Sequence, residues 1–267
     1  MTQPAYIPID LWQLALASLL IVVNVGLSFA LKLGLARSLI VASLRMSAQL
    51  LLVGLVLEWV FALNEPVTIL GIALIMAALA SIAAVNRTKR RFTGVYWDSL
   101  VSILAAAFLV TGLSIAGIIR IEPWYEAQYV IPLLGMVLGN ILNGISLALD
   151  RFTDGITGQR GQIELLLAFG GTRWEAAHEL VRDSLRVGMI PTINAMMVMG
   201  IVSLPGMMTG QILAGAAPGD AVRYQIVIMF MIASATALGA LGVTLFAFTR
   251  LFSKDHRLHV DRLTNSR

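Results

Sequence analysis

The stretch Gln162-Ile163-Glu164-Leu165-Leu166-Leu167-Ala168-Phe169-Gly170-Gly171-Thr172-Arg173-Trp174-Glu175 has the pattern of a surface element that changes direction. Apolar residues crowd its first half and two glycines interrupt it. Thr172 followed by Glu175 then spells a capping box, in which the Thr hydroxyl accepts the amide N–H of Glu175 while the carboxylate reaches back. One helix is therefore predicted to end at Gly170-Gly171 and another to begin at Arg173. In the second, Trp174, Ala177, Val181 and Leu185 recur at helical spacing, while Arg173, Glu175, Glu179, Arg182 and Arg186 take the other face. The segment then runs into an apolar passage marked by Pro191 and Pro205 that ends near Gly215. A surface helix, a glycine break and a proline-marked membrane helix in one stretch predict a mechanical link between a soluble partner and a buried pathway.

The 267-residue chain is 58% hydrophobic and only 13% charged, which places it among polytopic membrane proteins. A bilayer core of about 30 Å takes roughly 20 apolar residues per helix. About seven spans follow, near Leu11–Leu31, Leu39–Leu63, Val67–Val85, Leu100–Ile119, Val130–Leu149, Val187–Leu204 with a broken continuation to Gly215, and Gln225–Phe248. The expected architecture is all-α, a single transmembrane domain over residues 1–267 with a partner-facing cytosolic segment at about 150–186. So much of the chain is taken up by spans that no room remains for a soluble catalytic domain.

Positive charge falls on alternate loops. Lys32 and Arg37 follow the first span, Arg87, Lys89, Arg90 and Arg91 the third, Arg151 to Arg186 the fifth, and Arg250, Lys254, Arg257, Arg262 and Arg267 the last. Opposite them stand only Arg120 and Arg223, and the first ten residues carry no Lys or Arg. The asymmetry predicts an N-terminus outside and a C-terminus in the cytosol. The net charge of +4 is thus a topology signal, not a nucleic-acid footprint. With no cysteine, thiolate metal sites and cysteine nucleophiles are excluded.

Pro191 should kink its span, and Pro205-Gly206 should break it. The run Ser203-Leu204-Pro205-Gly206-Met207-Met208-Thr209-Gly210 holds too much glycine for a lipid-facing helix, so a re-entrant or hinge element is expected. Met189, Met196, Met197, Met199, Met207 and Met208 crowd the same region, as soft ligands for a metal in transit or as adaptable packing. The three histidines lie outside the spans, so no fixed metal cage is expected. Within the membrane, Arg45 and Gln49 share a face of the second span. Arg45 lies roughly 12 Å along the helix from Arg37, within reach of the headgroups by snorkelling, so headgroup and pathway roles stay open. Asn140 and Asn143 share a face of the fifth span, and Asn194 lies in the sixth. Interhelical bonding and substrate contact are both open for these amides. Gly135 and Gly139 are expected to make a close helix-packing surface.

Three passages carry a resemblance. Ile131-Pro132-Leu133-Leu134-Gly135-Met136-Val137-Leu138-Gly139-Asn140, Arg182-Asp183-Ser184-Leu185-Arg186, and Val202-Ser203-Leu204-Pro205-Gly206-Met207-Met208-Thr209-Gly210-Gln211-Ile212-Leu213-Ala214-Gly215, with Tyr224-Gln225-Ile226 after them, look like the iron-export permease family of ABC transporters. That family in turn resembles the plant aluminium-tolerance half-transporters. The likeness covers nearly the whole chain and is densest from Val130 to Phe230.

The resemblance implies a homodimeric permease of the bacterial cytoplasmic (inner) membrane that exports iron or a similar metal. A separate cytosolic ABC ATP-binding subunit would use ATP and Mg, and this chain would bind no cofactor. Glu164, Leu166, Phe169, Gly170, Thr172, Trp174 and Glu175 would couple to that ATPase, Glu164 and Gly170 standing at the Glu-x5-Gly spacing of importer coupling loops. The importer proline is displaced here to Pro191. Arg45, Gln49, Asn140, Asn143, Asn194, Ser203, Pro205, Met207 and Met208 would line the pathway or gate, and the family pattern also carries the Arg-x3-Gln pair.

No Gly-x4-Gly-Lys-Ser/Thr phosphate loop occurs, so ATP hydrolysis is expected elsewhere. A secondary transporter or channel driven by an ion gradient is the alternative, but intramembrane carboxylates and inverted repeats are missing. An intramembrane enzyme would need a nucleophile and base, paired aspartates or a His-rich motif within the spans, and none is present.

Overall fold

The computed structural model describes residues 9–265. Ser266, Arg267 and the first eight residues of the N-terminal segment without Lys or Arg lie outside the described residues. The chain is α-helical throughout its membrane part. Helices α1 (Leu11–Ala30) and α2 (Ala36–Leu63) form a hairpin, followed by α3 (Pro66–Asn86), strand β1 (Arg90–Phe92), and α4 (Val95–Leu113) with a π-helical extension to Ile119. Next come α5 (Ala127–Gly158), α6 (Arg160–Ala168), α7 (Arg173–Val198), α8 (Gly206–Leu213), α9 (Pro218–Leu251) and strand β2 (Leu263–Asn265).

Six of these, α1 to α5 and α9, are long and apolar enough to cross a membrane. They match the expected first five spans and the last. The expected sixth, Val187–Leu204, is not among them. Its apolar residues form the C-terminal half of α7, whose other half carries Arg182, Asp183 and Arg186, and the helix stops at Val198. It continues through Pro191, which is exposed, and does not end there. The expected block at 150–186 is likewise helical, made by the end of α5, all of α6 and the first half of α7.

Sequence chemistry marks the helix ends. Asn64 takes a left-handed conformation (φ 42°) that stops α2, and Pro66 opens α3, where its missing N–H satisfies nothing in any case. The Asn64 amide then donates to the Glu126 carboxylate at 3.2 Å and accepts from the Ala127 N–H at 3.1 Å, joining the two loops at that end.

The core lies between α3, α4, α5, α7 and α9. Ala73, Ala77, Ala80 and Ala84 give α3 a thin buried face, and the Ile141, Ile145, Leu149 and Phe152 stripe of α5 is fully buried, with Ile141 and Ile145 next to Gly239 of α9. Between helices in lipid, packing and small residues do what hydrophobic burial does in water. The closest approach joins α5, α7 and α9. A Cβ on Gly188 would lie 2.8 Å from the Gly144 carbonyl oxygen and 3.1 Å from the Ala148 Cβ, and one on Gly144 would lie 2.4 Å from Thr236 Cγ2. Gly139, expected to serve this purpose, has nothing within 4 Å, and Gly135 makes an ordinary 3.4 Å contact with Met76. The close crossing is therefore one to two turns further along α5.

The opposite end of the bundle is charged. Asp98 is buried in the first turn of α4 and accepts two bonds from Arg250 in the last turn of α9, at 3.0 and 3.1 Å. β1 pairs antiparallel with β2, so the C-terminal tail is tied across the α3–α4 connection, and Arg90 and Asp154 pair beside it. By contrast, α1 and α2 stand out from the bundle. Their attachment is through Leu57, Val60 and Phe61, which pack against Ile69, Ala127 and Ile131. Gly188→Ala is predicted to overpack the crossing at a cost of about 1–3 kcal/mol, seen as a lower Tm in detergent, whereas Gly139→Ala leaves Tm unchanged or raises it.

Candidate functional site

The α6–α7 elbow follows the sequence reading closely. Two bonds close α6, Gly171 N–H to Leu166 O at 3.0 Å and Gly170 N–H to Leu167 O at 3.1 Å, the pattern of a Schellman cap. It needs a left-handed residue, supplied by Gly170 at φ +87°. Gly171 is fixed by space, since a Cβ there would lie 2.3 Å from Leu166 Cδ2. Thr172 then opens α7: its hydroxyl accepts the Glu175 N–H at 3.2 Å, and the Glu175 carboxylate accepts the Thr172 N–H at 2.7 Å.

The two sides of the elbow differ in what holds them. On the α7 side, Trp174 stacks edge-on against Phe248 at 5.6 Å, the Arg173 guanidinium lies over the same ring at 5.4 Å, and the Arg173 N–H donates to His256 Nδ1 at 2.9 Å. These contacts pin α7 to the end of α9 and to the C-terminal tail. On the α6 side, Ile163 is buried and Leu167 half-buried, while Leu165, Leu166 and Phe169 are 58%, 41% and 84% exposed. Glu164 pairs with Arg160 at 2.7 Å beside them. A nearly naked phenylalanine among exposed leucines at the charged end is an apolar patch that lacks a cover.

From the elbow α7 runs unbroken to Val198, 26 residues or about 39 Å at 1.5 Å per residue. Ala177, Val181, Ser184, Gly188 and Thr192 are buried along one stripe of it. Beyond Thr192 the stripe ends, and Ile193, Asn194, Met196, Met197 and Val198 are all exposed. The chain then turns sharply. Val198 O accepts from the N–H groups of Ile201, Val202 and Ser203, Gly200 has φ +81°, and its N–H bonds to Ser203 O at 2.9 Å. Pro205 caps the short α8, which packs on α9. The expected re-entrant element is thus a helix end, a turn and a two-turn helix.

The turn brings Ser203, Pro205, Met207 and Met208 together, with Met207 against the core. It does not gather the other expected pathway residues. Asn140 donates to Met136 O on its own helix at 2.8 Å, and Asn143 accepts from Arg87. Asn194 is exposed on the last turns of α7. Arg45 and Gln49 lie on α2, in an open groove of about 530 Å³ with Arg37, Ser38 and Ala42. Two glutamines near the break were given no role by sequence reasoning: Gln211 and Gln225 each have a buried side-chain oxygen without a partner among the described residues. The Gln225 Nε2 reaches Met199 Sδ at 3.9 Å. Their signal was present, as amides inside an apolar segment. Among the described residues no three His, Asp or Glu side chains converge as a metal cage.

Hydrogen bonds from the backbone and side chain of Thr172 hold the Glu175 carboxyl below its ordinary value of 4.5. A lowered carboxyl adds stability that is present above the ordinary value and lost as pH falls through the lowered one. Thr172→Ala should remove the cap and cost about 1 kcal/mol, measured as faster amide exchange over residues 173–176. Acidification of the wild type below the ordinary carboxyl range should produce the same loosening, and neutral pH should not.

The comparisons with known proteins concern nearly the whole chain. Residues 11–252 match UPF0014, an uncharacterised protein family. A UPF0014 membrane protein of Synechocystis is 38% identical over 85% of this chain and 88% of its own length. The probable iron export permease protein FetB of Escherichia coli is 32% identical over 94% of this chain and 95% of its own. The Arabidopsis thaliana protein ALUMINUM SENSITIVE 3 is 30% identical over 91% and 88%. No solved structure matches.

Proposed function

The chain belongs to the UPF0014 family of membrane proteins, and we propose from that membership that it is the membrane-spanning subunit of an ABC-type exporter. Two copies would assemble with two cytosolic ATP-binding subunits in the bacterial cytoplasmic membrane. They would move iron or a related metal out of the cytosol, an assignment supported by the names of the FetB and ALUMINUM SENSITIVE 3 relatives. Hydrolysis of ATP with Mg belongs to the partner, since this chain has no phosphate-binding loop.

One observation carries the proposal: an uncovered apolar patch at the charged end is joined by one uninterrupted helix to the break at Val198–Pro205. Leu165, Leu166 and Phe169 suit a groove on a soluble partner, as an amphipathic helix in general does. Motion of that partner would be delivered to the start of α7, and a helix packed as tightly as this one carries it to the turn. The exposed backbone and side-chain oxygens around Ser203 would receive the cation, and Met196, Met197, Met207 and Met208 would repack as the passage changes shape. The basic residues of the elbow and tail place that end in the cytosol on this reading.

Phe169→Glu combined with Leu166→Asp should abolish co-purification of the ATP-binding subunit while leaving Tm unchanged, because both side chains are exposed. Losing an apolar anchor of this kind costs about 2 kcal/mol, or roughly 30-fold in affinity. Undiminished co-purification together with undiminished nucleotide-driven efflux would rule out the coupling role.

A further inference from the structure

Arg45 and Gln49 have no hydrogen-bond partner or ion pair among the described residues, although they lie near the middle of a span. An arginine facing lipid at mid-span costs about 2.5–3.5 kcal/mol on insertion scales. Neighbouring positions on the same face, Ser38 and Ala42, are small or polar too, and the groove they share is lined by Arg37 as well. This stripe is poorly suited to lipid. A soluble protein cannot reach it, and within the chain α2 attaches to the bundle only near Val60, at its far end.

A complementary surface exists on the same polypeptide but on another element. The C-terminal end of α7 is exposed from Ile193 to Val198, and no backbone N–H among the described residues bonds to the carbonyls of Met196 and Met197. The carbonyl end of a helix carries partial negative charge and favours a cation beside it. The depths agree as well. Arg37 and Arg186 mark the charged end on the two helices, since Gly188 meets Gly144 next to the Asn143 that binds Arg87 at the end of α3. Arg45 lies roughly 12 Å beyond Arg37 along α2, and Met197 roughly 16 Å beyond Arg186 along α7. An arginine side chain spans the difference.

We infer that the passage is composite: the Arg45–Gln49 face of α2 in one protomer covers the open carbonyl end of α7 in a second copy, beside Asn194 and the Ser203–Pro205 turn. The occupant is another copy of this chain because the required partner must be a membrane helix presenting acceptors at this depth, and this chain displays such an end uncovered. The α1–α2 hairpin then acts as an arm that reaches across a two-fold seam. Each passage is incomplete in one protomer, since the cation supplied by Arg45 and the acceptors at Met196 and Met197 come from different copies. The inference rests on the permease reading for the word passage, and on geometry for the seam.

The absence of cysteine gives a clean test, since each introduced thiol is the only one in its chain. Two differently tagged full-length chains, one carrying Gln49→Cys and the other Met197→Cys, are co-expressed with the ATP-binding subunit and oxidised in native membranes. The expected result is a covalent dimer containing both tags, reversed by reductant. It should be absent when Leu74→Cys, on the lipid-facing side of α3, replaces Gln49→Cys. No mixed-tag dimer, or equal dimer from the Leu74→Cys control, overturns the inference. In parallel, Arg45→Leu should lower recovery of the non-covalent dimer and Arg45→Lys should restore it. Wild-type recovery with Arg45→Leu, the result expected of an arginine that snorkels to headgroups, also overturns it. The seam and the permease reading fail separately: missing cross-links with intact nucleotide-driven efflux sink only the seam, and cross-links with nucleotide-independent transport sink only the motor.

Discussion

The contact between Gly188 on α7 and the Gly144 carbonyl on α5 sets how every other element can move. Because a single Cβ at Gly188 would meet that oxygen at 2.8 Å, α7 lies directly on α5, with Ala240 of α9 beside the same position. On the proposed coupling role, a helix held that closely at its middle would transmit displacement instead of absorbing it. Its first turn is closed by the Thr172–Glu175 box and tied to Phe248 and His256, so slack is removed at that end too. At the other end the stripe of buried residues stops at Thr192, and the last turns of α7 are free to follow.

The charged end works as the mount for this rod. Asp98 and Arg250 join α4 to α9 through a buried carboxylate, while Arg90 with Asp154 and the β1–β2 pair tie the tail across the α3–α4 connection. A second tie between Arg151 and Asp183 links α5 directly to α7. These pairs lie where water can relieve part of the cost of holding charge, which a mid-bilayer pair could not expect. The α6 face, by comparison, is held through Ile163 and Leu167, so the exposed apolar patch is the less restrained side of the elbow.

Local chemistry made the elbow legible in the sequence. A glycine pair, a Thr with Glu three positions on, and an apolar spacing of three to four residues act over one or two turns, and their outcome does not depend on distant packing. The break at Pro205 was legible for the same reason. Long-range pairing was not. Gly139 and Gly144 look alike in sequence, and only the crossing of α5 with α7 and α9 shows that the second is the close one. For Asn140 and Asn143 the shared helical face left interhelical bonding and substrate contact both open; in the fold one bonds along its own helix and the other holds Arg87 of α3. The apolar passage at Val187–Leu204 was legible as the continuation of the helix that begins at Arg173, but the stop of that helix at Val198 was not. Gln211 and Gln225 stand in apolar segments and acquire interest only through burial.

The central claim is that a change at the elbow and a change at the break are one motion. It is tested most directly with spin labels placed at Leu165 on α6 or at Met208 on α8, in the chain reconstituted with the proposed ATP-binding subunit. Distances between the two copies are read with and without nucleotide. The account predicts that both distances change together on nucleotide addition. A shift at Leu165 with none at Met208 would contradict it.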